Sequence, residues 1–396
     1  MTYASHRHDI VFHGDGLSDD QRRIAARTGE DNVPVRRWIA VSNGAVDVRG
    51  LEYDVEGAEA EIAITPVLPG QPLVIAGDVA ELWRSLFGQG VTDEHLSDQD
   101  RELVREFVSA GIADAAEGDE RGIESIGPLW FESLLHELVS ALVCRIAQSH
   151  DIRCLLIKGP TLHAQGLRSR RHSGDVDVLV DPARASDLVR AIEQWGWSAR
   201  PNPMSGTPLP HSVTLTPQSW GCEIDVHFRY PGIGVDPHES FAKLWEAAEQ
   251  RSFAGIDGYT PATHAHALIQ ALTLARPSAG LERTGRHGES ASVLKKGGVE
   301  VLRLADQLDA VGALQREFAS AFPESDVSSA RPPDEWIWLS QPNPALTYLH
   351  MLRSVPLRDK ASVLWKILVS RRPTADNRRE SLIRRWSRGL TQLLSR

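Results

Sequence analysis

The feature that most restricts the fold is a short run, Gly174-Asp175-Val176-Asp177-Val178-Leu179-Val180. With the two-residue period of a strand, Val176, Val178 and Val180 enter a core while Asp175 and Asp177 project together from the other side. Two carboxylates one strand step apart repel each other unless a cation lies between them. Magnesium suits that place, because it takes hard oxygen ligands and leaves positions for water and phosphate. The device recurs in Glu223-Ile224-Asp225-Val226-His227-Phe228, where Ile224, Val226 and Phe228 form the buried face and Glu223, Asp225 and His227 the opposite one. Three carboxylates, Asp175, Asp177 and Asp225, on two neighbouring strands match what phosphoryl transfer with two magnesium ions requires, manganese being the alternative ion. Asp225 is then the expected general base.

The rest of the 396-residue chain has room for two or three domains. With 41% hydrophobic and 24% charged residues, and no apolar run near the roughly 20 residues a bilayer demands, no transmembrane segment is expected. The N-terminus lacks the basic-then-apolar order of a signal peptide, which points to the cytoplasm. The three cysteines, Cys144, Cys154 and Cys222, are widely spaced among apolar neighbours and read as buried free thiols. Charge is uneven: residues 1–125 hold 11 basic against 25 acidic side chains, and residues 351–396 hold 12 against 3. Such asymmetry suggests separate modules with different partners.

Residues 1–30 show little periodicity and read as a flexible arm. Strand-like runs at 37–41, 61–64 and 72–75, punctuated by Asn43-Gly44 and Pro69-Gly70, are followed by helical spacing at Val79, Leu82, Trp83, Leu86 and Phe87. A second helix carries Leu103, Val104, Phe107 and Val108 after a Ser97 cap and ends at Gly111. Together these predict a small winged-helix-like domain over 31–115. The polar segment 115–122, with two glycines, reads as a linker. Pro128 is expected to start a helix whose apolar stripe runs from Leu129 to Ile146, and Arg153–Ile157 a central strand leading to Lys158-Gly159-Pro160. A core domain over 126–260 and an all-α domain over 261–396 complete the α+β arrangement, with the Gly-, Ser- and Lys-rich stretch 285–298 as an internal mobile loop. His264 and His266, two apart on a helix, face different ways and make an improbable metal pair.

The block Leu155-Leu156-Ile157-Lys158-Gly159, Arg171, Asp175–Val180 and Ile224-Asp225-Val226-His227 resembles the uncharacterised nucleotidyltransferases of the polymerase beta-type superfamily. That resemblance implies a nucleotidyltransferase-fold mixed sheet with flanking helices. A nucleoside triphosphate and its magnesium ions would lie in a cleft against the helical domain, held by Asp175, Asp177 and Asp225. Lys158 and Gly159 fall where the wider superfamily has a Gly-Ser phosphate turn. Pro160 replaces the serine, so Thr161 or Lys158 is the expected substitute, with Arg171 as a further phosphate contact. Glu223 and His227 would support the carboxylates.

Residues 73–83 and 107–112 resemble the PqqD-like elements that bind leader peptides of ribosomally made, modified peptides by strand addition. That implies a peptide acceptor. The C-terminal stripe Leu382, Ile383, Trp386, Leu390, Leu393 and Leu394, ringed by arginines, would instead favour RNA. A small-molecule acceptor and an inactive peptide-binding scaffold are the other readings.

Overall fold

The computed structural model describes residues 36–363, apart from 52–53, 56–57, 132, 170–173, 203–209, 278–285, 342–346, 348, 351, 354 and 362. The expected N-terminal arm and C-terminal arginine-rich stripe therefore lie outside the described residues. The chain divides into two compact units, one ending at Leu129 and one beginning at Trp130.

In the first unit, β1 (Arg37–Ala40), β2 (Ala45–Asp47), the small pair β3 (Asp54–Val55) and β4 (Ala58–Glu59), β5 (Ile62–Ile64) and β6 (Leu73–Ile75) precede the helix Gly77–Ser85. Then come β7 (Val91–Thr92), the helix Asp98–Ala110, β8 (Ala113–Ala116) and β9 (Gly127–Pro128). The strands form sheets of order β7-β1-β8 and β6-β5-β2-β9. Local chemistry fixes the second helix at both ends. Ser97 and Asp100 form a reciprocal capping box, and Gly111 takes the left-handed φ of 72° that closes the helix. Trp83, fully buried, donates its indole N–H to the Ile112 carbonyl at 2.8 Å.

The polar segment 115–122 is not a free linker. Ala115 and Ala116 pair with β1, and Arg37 donates to the carbonyls of Gly118 and Glu120 at 2.6 and 2.8 Å. Backbone pairing here overrides a composition that reads as loop. Pro128 likewise lies in β9, beside β2, and the helix expected from it begins only at Leu134.

The second unit is built on a five-stranded mixed sheet, comprising β10 (Cys154–Ile157), β11 (Asp175–Val180), β12 (Trp197–Ala199), β13 (Ser212–Pro217) and β14 (Glu223–His227), in the order β10-β11-β14-β13-β12. Only β11 and β14 are parallel; the other neighbours are antiparallel. β10 is thus an edge rather than a central strand, yet all four of its side chains are buried. The helix Leu134–Ser149 packs on β10, β11 and the hairpin of β15 (Ala248–Phe253) and β16 (Ile256–Pro261). Contact is close: a Cβ on Gly258 would meet the Cys144 Sγ at 2.5 Å and the Phe253 ring at 3.0 Å.

Glu137 anchors this corner. Its buried carboxylate accepts the amides of Trp130 (2.8 Å), Phe131 (2.6 Å) and Ala254 (3.2 Å), beside the clustered rings of Trp130, Phe131 and Phe253. Burial pushes its pKa above the usual carboxylate range, although the three amides oppose that rise.

On the other side of the sheet, Leu155, Ile157 and Leu179 share a core with the helix Thr263–Ala275 and the helices that follow it. The stretch 285–298 is largely the helix His287–Gly297, not a loop. Ser290, Ala291, Val293 and Leu294 are buried, and the Ser290 hydroxyl donates to the Ala271 carbonyl at 3.1 Å. Burial of four side chains outweighs the poor helix propensity of its glycines and serines. Among the described residues no helix is long and apolar enough to cross a membrane.

Candidate active site

The parallel pairing of β11 with β14 places Asp177 opposite Asp225 and Asp175 opposite Glu223. Strand parity therefore puts Asp175, Asp177, Glu223, Asp225 and His227 on one side, with Leu179 joining the helical core beyond them. Asp175 is half-buried at the open end, whereas Asp177 and His227 are buried, at 5% and 3% exposure.

Asp177 holds the centre. Its Oδ1 accepts from the Lys158 ammonium at 2.6 Å and from His227 Nε2 at 2.8 Å, and the Lys158 Nζ lies 3.4 Å from the same imidazole nitrogen. Burial disfavours charge on Asp177, but the His227 hydrogen bond and the Lys158 charge outweigh it, and its pKa falls below the usual range. Burial also works against the Lys158 charge, yet the electrostatic effects of Tyr230, Asp177 and Asp175 raise its pKa. The His227 pKa is lowered by burial, with the Asp177 hydrogen bond opposing. The ring is accordingly neutral, and because a carboxylate only accepts, the Nε2 facing Asp177 carries its proton.

Two buried polar atoms, Asp225 Oδ1 and His227 Nδ1, have no hydrogen-bond partner among the described residues. Buried acceptors in this state are rare and call for an explanation. Asp177, Asp225 and His227 each offer an atom, all within 4.8 Å of one another, so the three could hold one metal ion. Two carboxylates and an imidazole fit magnesium or, with its greater tolerance for nitrogen, manganese. Asp175 stands outside this group of three but on the same strand face, one step away.

The other sequence-predicted residues are placed as follows. Lys158 and Gly159 form the turn after β10, both with positive φ, of 60° and 54°. Thr161 is buried and its hydroxyl donates to the Lys158 carbonyl, closing that turn. Glu223 pairs with Arg200 at the surface. Arg171 lies outside the described residues.

Sequence reasoning missed His211, and weighed His266 only as an improbable metal partner of His264. His211 Nε2 accepts from the Arg276 guanidinium at 3.1 Å, and burial, with Arg276, His227, Arg229 and Lys158 nearby, pushes its pKa down to about 2. His266 contacts the Lys158 amide. The available signal was an imidazole set within Ala265-His266-Ala267-Leu268-Ile269, since a histidine inside so apolar a stretch must find partners.

The sheet, the Lys-Gly turn and the facing acidic strands mark the second unit as a nucleotidyltransferase. Residues 133–283 match the family described as uncharacterised nucleotidyltransferase. Among solved structures the chain is similar to the antibiotic-resistance factor ANT(2'')-Ia, with 11% identity, 48% of this chain and 95% of that one covered, and a TM-score of 0.30. It is similar to the lincosamide antibiotic adenylyltransferase LnuA in lincomycin-bound form (14%, 41% and 95%, TM-score 0.27). An antigenic nucleotidyltransferase-like protein from Paracoccidioides brasiliensis shows 12% identity over 51% of this chain and 95% of that one, with a TM-score of 0.31. No curated protein matches the sequence.

Proposed function

We propose that the protein moves a nucleoside monophosphate from a nucleoside triphosphate to an acceptor hydroxyl, with a divalent cation held by Asp177 and Asp225, Asp175 at the open end and His227 beside them. The observation that carries this reading is the buried Asp225 Oδ1, without a hydrogen-bond partner among the described residues, on the strand position paired with Asp177. A divalent ion, when bound, lowers the pKa of an attacking hydroxyl and steadies the triphosphate charge. Asp225 takes the hydroxyl proton. The acceptor oxygen bonds to the α-phosphorus as the bond from that phosphorus to the bridging oxygen breaks, and pyrophosphate leaves with the electron pair. In this reading the Lys158-Gly159 turn and Arg171 are assigned to phosphate binding, with the Thr161 hydroxyl closing the turn.

A peptide acceptor, delivered by the first unit, is the finer proposal. It is supported by β6, which among the described residues pairs on one side only, with β5, and whose Leu73 and Val74 are partly exposed next to the helix Gly77–Ser85. An added peptide strand would complete that edge.

The test is magnesium-dependent turnover of each labelled nucleoside triphosphate, with pyrophosphate release followed in the wild type and in Asp175→Ala/Asp177→Ala, against peptide, RNA and small-molecule acceptors. Label transferred by the wild type alone supports the reading and names the acceptor class. Tight nucleotide binding without transfer to any acceptor overturns it in favour of a binding scaffold.

A further inference from the structure

Lys158 has a backbone that its side chain disfavours, with φ of 60° and ψ of −146°. For a residue with a Cβ this region is sparsely populated, and such a conformation persists only where its surroundings over-determine it. Here the restraint comes from 108 residues away. The Lys158 amide donates to His266 Nε2 at 2.6 Å, and His266, on the helix Thr263–Ala275, is fully buried.

An amide N–H only donates, so Nε2 is unprotonated and Nδ1–H donates to Gln165 Oε1, at 2.7 Å. The Gln165 amide in turn donates to the Pro261 carbonyl at 2.9 Å. Both imidazole nitrogens are thus committed, and the relay ends on fixed backbone. Burial, opposed by Asp177 and aided by Arg168 and Lys158, takes the His266 pKa down to about 3, so the accepting nitrogen is retained at neutral pH.

With its backbone held this way, Lys158 carries its ammonium in among the groups suited to a divalent ion. Nζ is 2.6 Å from Asp177 Oδ1, 3.4 Å from His227 Nε2 and 5.8 Å from the centroid of the Tyr230 ring. An ammonium at hydrogen-bond distance and a divalent ion at coordination distance cannot share that oxygen without severe repulsion.

We propose that His266 is a positioning residue for Lys158, and that it holds the Lys158 ammonium on Asp177 as a tethered cation which an incoming divalent ion must displace. The tether keeps the carboxylate neutralised before metal binds and leaves the ammonium beside the site once displaced. The metal half of this inference rests on the function proposed above; the positioning half does not.

The experiment uses the full-length, metal-free protein. Acetic anhydride labelling, read by mass spectrometry, compares Lys158 with the exposed Lys295 as internal reference. Lys158 is expected to be protected in the wild type and in His266→Gln, which keeps an acceptor for the amide, and to label about tenfold faster in His266→Ala, the scale of an ordinary contact coupling. Calorimetry with Mn2+ alone should show about tenfold tighter binding in Lys158→Met, tighter binding in His266→Ala, and no further gain in the double variant. Should His266→Ala not fold, His266→Asn, too short to reach the amide, takes its place. Unchanged Lys158 labelling in His266→Ala, or in the His266→Asn that replaces it, overturns the positioning role. Unchanged or weaker Mn2+ binding in Lys158→Met overturns the tethered cation. Absence of Mn2+ binding in every variant, wild type included, overturns the metal site of the proposed function, while labelling still decides the role of His266.

Discussion

Glu137 and Asp177 are both buried carboxylates in the second unit, at 1% and 5% exposure, and they are satisfied in opposite ways. Glu137 accepts three backbone amides and its pKa is raised; Asp177 accepts a lysine and a histidine and its pKa is lowered. Amides are fixed dipoles that solvate a carboxylate without neutralising it, and they cannot leave. A side-chain cation neutralises its partner and can be exchanged for another cation. Burial alone therefore does not mark a carboxylate as functional, whereas the mobility of its partners does.

The contrast would be broken most sharply by activity. Asp177→Asn is expected to reduce nucleotide transfer by on the order of 10³-fold, the loss of several kcal/mol of metal-borne charge stabilisation, as measured by pyrophosphate release. Glu137→Ala should leave turnover per folded molecule within about twofold while lowering stability by about 3 kcal/mol in urea, because it strands three buried amides. A fall in turnover as large as that of the Asp177 variant would erase the distinction.

The pH dependence of stability sharpens it further. Asp177 is held below its ordinary 3.8, so its contribution is fully present above that value and is lost as pH falls through the lower folded pKa. Glu137 lies above its ordinary 4.5, so the folded chain binds the proton more tightly. Stability from this group is highest below 4.5 and declines as pH rises through the raised folded value. Urea midpoints of wild type, Asp177→Asn and Glu137→Gln from about pH 3 to 7 should show these opposite slopes, each removed in its own variant. The smallest effect is expected at Arg200→Ala: both members of the Arg200–Glu223 pair are more than a third exposed, so stability should change by less than about 1 kcal/mol.

Much of the carboxylate arrangement was legible in the sequence, because strand parity is local. Asp175, Asp177 and Asp225 share a face for the same reason that Val176, Ile224 and Val226 share the other, and the structure adds only the parallel register. The partners of those carboxylates were not legible. Whether Lys158 turns towards phosphate or towards Asp177 depends on a backbone conformation fixed by His266, and no periodicity links positions 108 residues apart. The helix His287–Gly297 and the hairpin of β15 and β16 were missed for a related reason. Their own residues prefer neither state strongly, and burial against the helices Thr263–Ala275 and Leu134–Ser149 decides them. In the first unit, caps and turns sit close in sequence, so the helix Asp98–Ala110 could be read to its ends.

The distribution of sulfur has a practical consequence. Cys144, Cys154 and Cys222 are the chain's three thiols; all belong to the second unit, all are buried, and the first unit has none. A thiol-specific reagent added during denaturation therefore times the opening of the second unit alone. Set beside a whole-chain signal, such a clock separates the folding of the two halves without a single engineered label.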